Sequence, residues 1–344
     1  MGETSPSSSV DLVSEDGGHR HGNFHNYYSF HPPVNRLKVL QETGILDYVV
    51  QFATANNKKR GHRGDTHTDD AVKRQKCLQD QADHPFAAKS ANGSENTATI
   101  TGTVETQSPQ KQTRREPLFR YCDLGCNEGD LTAGLARELT NRIQPSKKDT
   151  VAVVDSLGLD MDATLIGRAR ENHGMLSKNM PIQFQICNLC QALDHETAYR
   201  NHFSGKFDLT SIFSTTMWIH VHAGDNGLKD FLHRACQQTK LLLIEPQPSK
   251  CYRSARVRLE RLGRPDIPDI SFDRLKMRQN IEQEIANVII SCGFQRVVLV
   301  ENKSNPETTP ASHHPPNNSQ EEESNRTVWK RALQLYERIT DEEE

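Results

Sequence analysis

The chain alternates between two hydrophobic periods. Short apolar runs bounded by turn residues fall at Phe119–Leu124, around Leu157–Asp160, and at Gln183–Asn188, Phe207–Ser214, Lys240–Glu245 and Gln295–Val300. Their length and their Val, Ile, Leu and Phe content predict buried strands. Between them, apolar positions recur at helical spacing over Asp130–Arg142, Ala163–Asn172, Gly224–Gln238, Ser249–Leu262 and Leu275–Cys292. Strands alternating with helices predict βαβ units around a mostly parallel sheet. The last patterned segment, Val328–Tyr336, fits a strand or a short helix. As a strand it would close the sheet antiparallel to Gln295–Val300.

Other stretches carry neither period. Across residues 53–117 only Val72, Leu78, Phe86, Ile100 and Val104 are large and apolar, too few to offset the entropy of ordering the segment. Residues 302–326 hold Asn305-Pro306, Pro315-Pro316 and Glu321-Glu322-Glu323, and residues 1–20 hold Ser7-Ser8-Ser9 and Gly17-Gly18. Both read as solvated chain. The expected organisation is a disordered tail (1–20), an N-terminal segment belonging to the packed core (21–52) and a disordered insertion (53–117). The core (118–301), a disordered loop (302–326), a last core element (327–338) and an acidic tail (339–344) follow. This accounts for a hydrophobic content of only 34%, which is low for a fully packed chain.

Directly after the first strand stands Asp123-Leu124-Gly125-Cys126-Asn127-Glu128-Gly129, and a helix pattern follows. Gly125 would let the backbone approach a ligand, and Gly129 would let the helix start pack against the strand. Asp123, at the strand end, suits a ligand amine better than a pyrophosphate, so the turn favours a cationic nucleoside. One strand later Gly158-Leu159-Asp160-Met161-Asp162 offers an acid for both ribose hydroxyls. Asp160 is the first candidate, with Asp162 and Asp155 as competitors. Asn188, at the end of the third strand, would face the adenine. The alternative is an ordinary α/β turn whose aspartate only caps a helix.

Asp123-Leu124-Gly125-Cys126-Asn127, Thr216-Met217-Trp218-Ile219-His220, Gly224-Asp225-Asn226-Gly227-Leu228 and Glu245-Pro246-Gln247-Pro248, with Gly22-Asn23-Phe24, Tyr27 and Arg36-Leu37 before them, are distinctive strings. In these strings the chain resembles the bicoid-interacting-protein family of RNA 5′-phosphate methyltransferases. Phe30-His31-Pro32-Pro33 and Lys250-Cys251-Tyr252-Arg253 resemble the branch that methylates RNA 5′-monophosphates. The other branch, the methylphosphate capping enzymes, acts on the γ-phosphate of a 5′-triphosphate, and His31 stands where that branch carries an arginine.

The resemblance implies a class I, Rossmann-like S-adenosylmethionine-dependent methyltransferase with a mostly parallel seven-stranded sheet. It implies Tyr27, Arg36, Gly125 and Asp160 around the cofactor, joined by Asp123, Asn127, Gly129, Met161 and Asn188. Tyr252 and the cations after it would meet the RNA 5′ end. Arg253 and Arg256, with Tyr252 and His220, are the catalytic candidates, and Lys250 and Arg258 the RNA-binding ones. Trp218, His220 and His222 follow the fourth strand, where this fold class faces the methyl group. Trp218 is expected to serve packing ahead of base stacking.

Lys250, Arg253, Arg256, Arg258, Arg261 and Arg264 are opposed only by Glu260. A charge run of this kind is commonly a solvated helix face. Its place after Glu-Pro-Gln-Pro, at the carboxyl edge of the sheet, argues for an anion site. Methyl transfer to a phosphate monoester needs no strong base, because that group is already largely dianionic near neutrality.

Net charge is −3, which excludes a uniformly basic coat and permits a local basic site. No run reaches the length of a membrane span, and no charged start precedes an apolar run, so secretion and membrane insertion are not expected. Eight unevenly spaced cysteines then read as reduced thiols of an intracellular protein, cytoplasmic by expectation. Cys187 and Cys190 form a lone C-x-x-C, and no metal is expected. Lys59-Arg60 and Lys73-Arg74-Gln75-Lys76 have the spacing of a two-part nuclear import signal, with nonspecific RNA attraction as the alternative. Monomer is the default. The functions left open are methylation of an RNA 5′-monophosphate, γ-phosphate capping, an RNP scaffold with vestigial catalysis, and methylation of a protein or small molecule.

Overall fold

In the computed structural model, residues 27–63, 119–143, 154–174, 180–202, 205–261, 272–300 and 331–339 are described. Two compact units separate, residues 1–53 with 117–344 and residues 54–116. Of the second, residues 54–63 are described, and they are helical.

The chain opens with three helices, α1 (Tyr27–Phe30), α2 (Pro33–Glu42) and α3 (Ile45–Arg63). Then come β1 (Phe119–Leu124), α4 (Asp130–Arg142), β2 (Val154–Asp160), α5 (Ala163–His173), β3 (Ile182–Ile186), α6 (Ala192–His202) and β4 (Phe207–Phe213). They are followed by α7 (Thr216–Gln237), β5 (Thr239–Glu245), α8 (Ser249–Arg261), two 3-10 turns (Phe272–Arg274 and Lys276–Asn280), α9 (Ile281–Ser291), β6 (Phe294–Val300) and β7 (Leu333–Arg338). The seven strands form one sheet in the order β3-β2-β1-β4-β5-β7-β6. The first five pair in parallel, and β7 runs antiparallel between β5 and β6.

Every residue of β1 and of β4 is buried. These neighbouring central strands are covered on both faces, which is why their sequences read as continuous apolar runs without alternation. One core joins the sheet to α2–α5 through Leu40, Ile45, Leu131, Leu135 and Ile166. The other joins it to α6–α9 through Tyr199, Leu228, Phe231, Tyr252 and Ile285. From β1 the chain builds outward to β2 and β3, then returns to place β4 on the other side of β1. The point where that direction reverses leaves a crevice at the carboxyl ends of β1 and β4.

Four elements differ from the sequence pattern. Helix α3 continues to Arg63, well past residue 53, where the insertion was expected to begin. No Pro or Gly interrupts it before Gly61. Helix α6 had no legible pattern, because much of its surface is polar and exposed. Helix α7 starts at Thr216, before the expected Gly224, where the backbone leaves helical geometry (φ 72°, ψ −175°) and divides the element in two. β3 ends at Ile186, so Asn188 lies in the loop after it. The basic cluster at residues 73–76, the loop at 302–326 and both chain ends lie outside the described residues.

Candidate active site

A cavity of about 610 Å³ opens over the carboxyl ends of β1, β2, β4 and β5. Its first wall is the turn after β1. Gly125 has φ +86°, a backbone that L side chains rarely adopt, and an added Cβ would stand 2.1 Å from Thr215 Oγ1 in the loop after β4. The two loops of the crevice therefore meet at a glycine. Gly129 does the packing expected of it and does not reach the cofactor wall. It is the left-handed N-cap of α4, and a Cβ there would strike the Phe184 ring at 2.7 Å. Gly129 lies outside the cavity lining and closes the packing of helix on strand.

Two buried carboxylates mark this side. Asp123 Oδ2 accepts from Thr132 Oγ1 at 2.6 Å, and Oδ1 accepts from Ser211 Oγ at 2.6 Å. Burial raises its pKa against these hydrogen bonds and the nearby Arg36 charge. Asp160 accepts the N–H of Asn127 and that of Asp162, each at 3.0 Å. Burial nevertheless pushes it up to about 6. Asp162 is excluded as the ribose acid: it caps α5 by accepting from Thr164 N and Leu165 N. Asp155 sits near the opposite end of β2, 3.4 Å from His202. Asn127, Met161 and Asn188 also line the cavity. Asn188 Oδ1 is held by Cys190 N at 3.1 Å, which fixes its carboxamide in the turn before α6.

The opposite wall is cationic. Arg36, on α2, is buried and donates from Nε to Glu245 Oε2 at 2.9 Å. Glu245 ends β5, and the same carboxylate accepts from Arg331 Nη1 at 3.1 Å. Between them stands Ser214, whose Oγ is within hydrogen-bond reach of Tyr27, Arg36, Arg331 and Glu245. Ser214 adopts φ +54°, an uncommon conformation for a residue other than glycine. His31 lines this wall with its pKa lowered by burial and by the Arg331 and Arg36 charges, so it stands neutral near pH 7. Lys250, Cys251, Ser254 and Ala255 present one face of α8 to the cavity, and Trp218 and His222 present one of α7.

Several expected catalytic residues stand elsewhere. Tyr252 and His220 are fully buried behind the wall, outside the cavity lining. Tyr252 points into the core, where its hydroxyl meets the buried His220 of α7. Arg253 and Arg256 lie on the exposed face of the same helix. Arg258 is part of α8, but its side chain is outside the described set. Ser214, Glu245 and Arg331 were given no role by sequence reasoning. Glu245 was visible only as part of a distinctive string, and Arg331 follows a polar stretch that gives no signal.

The cavity fits a nucleoside cofactor carrying a positive charge. Among the described residues Asp160 is met by two backbone N–H groups and by no cation that favours its ionised form, and ligand hydroxyls would supply further donors. Gly125 brings its backbone to the cavity lining, and the volume suits a molecule of that size. Among the described residues no three or more His, Cys, Asp or Glu side chains are arranged to hold a metal, and no helix is long and apolar enough to cross a membrane.

A parallel sheet with reversed strand order and an antiparallel β7 slotted beside β5, with polar strand ends around this crevice, is the fold of the class I S-adenosylmethionine-dependent methyltransferases. Within that class, residues 207–338 match the model of the Bicoid-interacting protein 3 (Bin3) family, which bears out the resemblance carried by Thr216–His220 and Glu245–Pro248. The chain is similar to the pre-miRNA 5′-monophosphate methyltransferase of Xenopus laevis, 28% identical over 86% of this chain and 91% of that protein. It is also similar to the RNA 5′-monophosphate methyltransferase of Pongo abelii, 32% identical over 48% of this chain and 57% of that protein. A further relative is the U6 snRNA methylphosphate capping enzyme Amus of Drosophila melanogaster, 26% identical over 54% of this chain and 65% of that protein.

Proposed function

We propose that this chain transfers a methyl group from S-adenosylmethionine to the 5′-monophosphate of an RNA. The observation that carries the reading is the charge polarity of one cavity. Asp123 and Asp160 stand on the β1–β2 side, and Arg36, Arg331 and Lys250 gather on the β4–β5 side. A cationic cofactor with ribose hydroxyls matches the first wall, and a phosphate dianion matches the second.

Bound S-adenosylmethionine would supply an electrophilic methyl group on a sulfonium. Asp160 would take the ribose hydroxyls and Asp123 the amino group, with Asn127, Met161 and Asn188 flanking them. Tyr27 and Ser214, at the border between the two walls, would hold the phosphate oxygen in line for displacement. Orientation of this kind lowers a barrier by several kcal/mol without a proton acceptor, which suits a wall whose histidine is already neutral. Trp218 and the exposed edge of α8 would border the entering RNA. The described cysteines are all free thiols, which supports an intracellular, cytoplasmic setting, and we take the metal-free monomer as the working unit.

The test is label transfer from S-adenosylmethionine to one short hairpin RNA prepared with a 5′-monophosphate, a 5′-triphosphate or a 5′-hydroxyl. Label confined to the monophosphate form, and protecting it from phosphatase, is the expected result. Preference for the triphosphate would move the protein to γ-phosphate capping, and equal labelling of all three would overturn chemistry at the 5′ end.

A further inference from the structure

Two guanidiniums share one buried carboxylate in this site, and they differ in what they can reach. Glu245 is 0% exposed and Arg36 is 1% exposed, so that pair is sealed into the wall. Arg331, on the same carboxylate, keeps 19% of its side chain exposed and lines the cavity. Arg331 therefore brings a second guanidinium to the carboxylate that already holds Arg36, and places it at the edge of the cavity where a ligand can meet it.

The fold explains how Arg331 arrives there. β7 is inserted antiparallel beside β5, with Gln334 opposite Ile244, so the residues just before β7 fall next to the end of β5. Its Nη1 is then fixed by Glu245 Oε1 and by Ser214 Oγ. The strained backbone of Ser214 fits this arrangement, since its hydroxyl stands among Tyr27, Arg36 and Arg331. Across the wall, burial and then both guanidiniums disfavour a proton on His31, against the opposing pull of Glu245.

We propose that Arg331 is a specificity-determining residue that reads the terminal phosphate of the acceptor, with Arg36, Glu245 and Ser214 as its positioning residues. The inference rests on the 5′-phosphate reading above. A guanidinium fixed in place presents a planar fork suited to phosphate oxygens, and Lys, a point charge on a flexible stem, does not reproduce it.

The experiment uses the full chain saturated with S-adenosylhomocysteine and compares its affinity for one hairpin RNA bearing a 5′-monophosphate or a 5′-hydroxyl. The unmodified protein is expected to favour the monophosphate by about tenfold or more. Arg331→Gln should bring that ratio to within about twofold of unity and leave hydroxyl-RNA and S-adenosylhomocysteine affinities unchanged. A merely structural role would weaken all three together, and that result overturns the proposal. If Arg331→Gln fails to bind S-adenosylhomocysteine, Arg331→Lys decides: a ratio cut at least about threefold supports the proposal, and an unaltered ratio overturns it. Full discrimination kept by Arg331→Gln would overturn the role of Arg331 alone. A ratio of one in the unmodified protein would overturn the 5′-phosphate reading itself.

Discussion

The hydroxyl of Tyr252 stands 2.9 Å from Nδ1 of His220, and neither side chain is exposed to solvent. On the far side of the imidazole, Nε2 is 2.7 Å from Asp225 Oδ1, and that carboxylate also accepts the N–H groups of Lys276 and Met277. Burial raises the pKa of Asp225, but the hydrogen bonds from His220 and the backbone outweigh it and hold the group below the ordinary carboxylate range. Burial lowers that of His220 despite Asp225, so the ring is neutral with its proton on Nε2 and accepts from the phenol. The break in α7 at Gly224 brings Asp225 into this contact. The chain Tyr252–His220–Asp225 ties α8 to α7 and to the second 3-10 turn, which sets the cavity face of α8.

Tyr252→Phe should therefore cost about 1–2 kcal/mol of stability, a fall of a few degrees in Tm, because it leaves a buried nitrogen without its donor. Methyl transfer should stay within about threefold of the unmodified protein. Thermal unfolding and a single-turnover assay check this. Abolished transfer at an unchanged Tm would mean that the phenol reaches the substrate.

Cofactor affinity should depend on pH through Asp160. With its pKa raised to about 6 by burial, the free protein holds this proton across mildly acidic pH, and the ionised form is the better acceptor for ribose hydroxyls. Affinity for S-adenosylhomocysteine, measured by calorimetry, should rise from pH 5 to 7 and level off above. Asp160→Asn should flatten the profile and weaken binding at pH 7. The stability effect has the opposite sign. A folded-state pKa above the unfolded value gives stability that is present below about 4 and lost as pH rises through about 6, so ligand-free protein gains least from this group at neutrality.

Gly125→Ala and Gly224→Ala should separate two uses of glycine. Both positions have positive φ, so each change should cost about 1–3 kcal/mol of stability. At Gly125 the new Cβ also meets Thr215 between the two loops of the crevice, whereas around Gly224 nothing lies within 4 Å. S-adenosylhomocysteine binding should weaken more than about tenfold for Gly125→Ala and stay nearly unchanged for Gly224→Ala. Equal losses would mean that the glycine turn does not border the cofactor.

The two faces of α8 should differ in the same way. Lys250 lines the cavity, and Arg253 faces solvent. Lys250→Glu should raise the KM for 5′-monophosphate RNA about tenfold or more at any moderate salt. Arg253→Glu should act mainly through nonspecific attraction, with an effect that fades as salt rises. A larger effect at Arg253 would place the RNA path along the outer face of the helix.

The sequence by itself determined the sheet and one wall of the site. All six apolar runs are strands and the final segment is the seventh, because burial on both faces writes strand character into local composition. Asp123, Gly125 and Asp160 were legible for a related reason: a ligand site at strand ends depends on residues a fixed few positions beyond each strand. Helices α1 to α3 and α6 were not legible, since part of each surface is polar and their apolar stripes are weak.

Only the tertiary structure decided the second wall. Arg36, Ser214, Glu245 and Arg331 come from α2, the ends of β4 and β5, and the start of β7, and nothing local announces that these four meet. It also decided which face of α8 matters. Helical spacing groups Arg253 with Arg256 and Tyr252 with Ala255, but packing on the core turned Tyr252 inward and left Lys250, Cys251 and Ser254 at the cavity. A period records which residues share a face; the neighbour against which that face is buried is set by long-range contacts that one segment cannot encode.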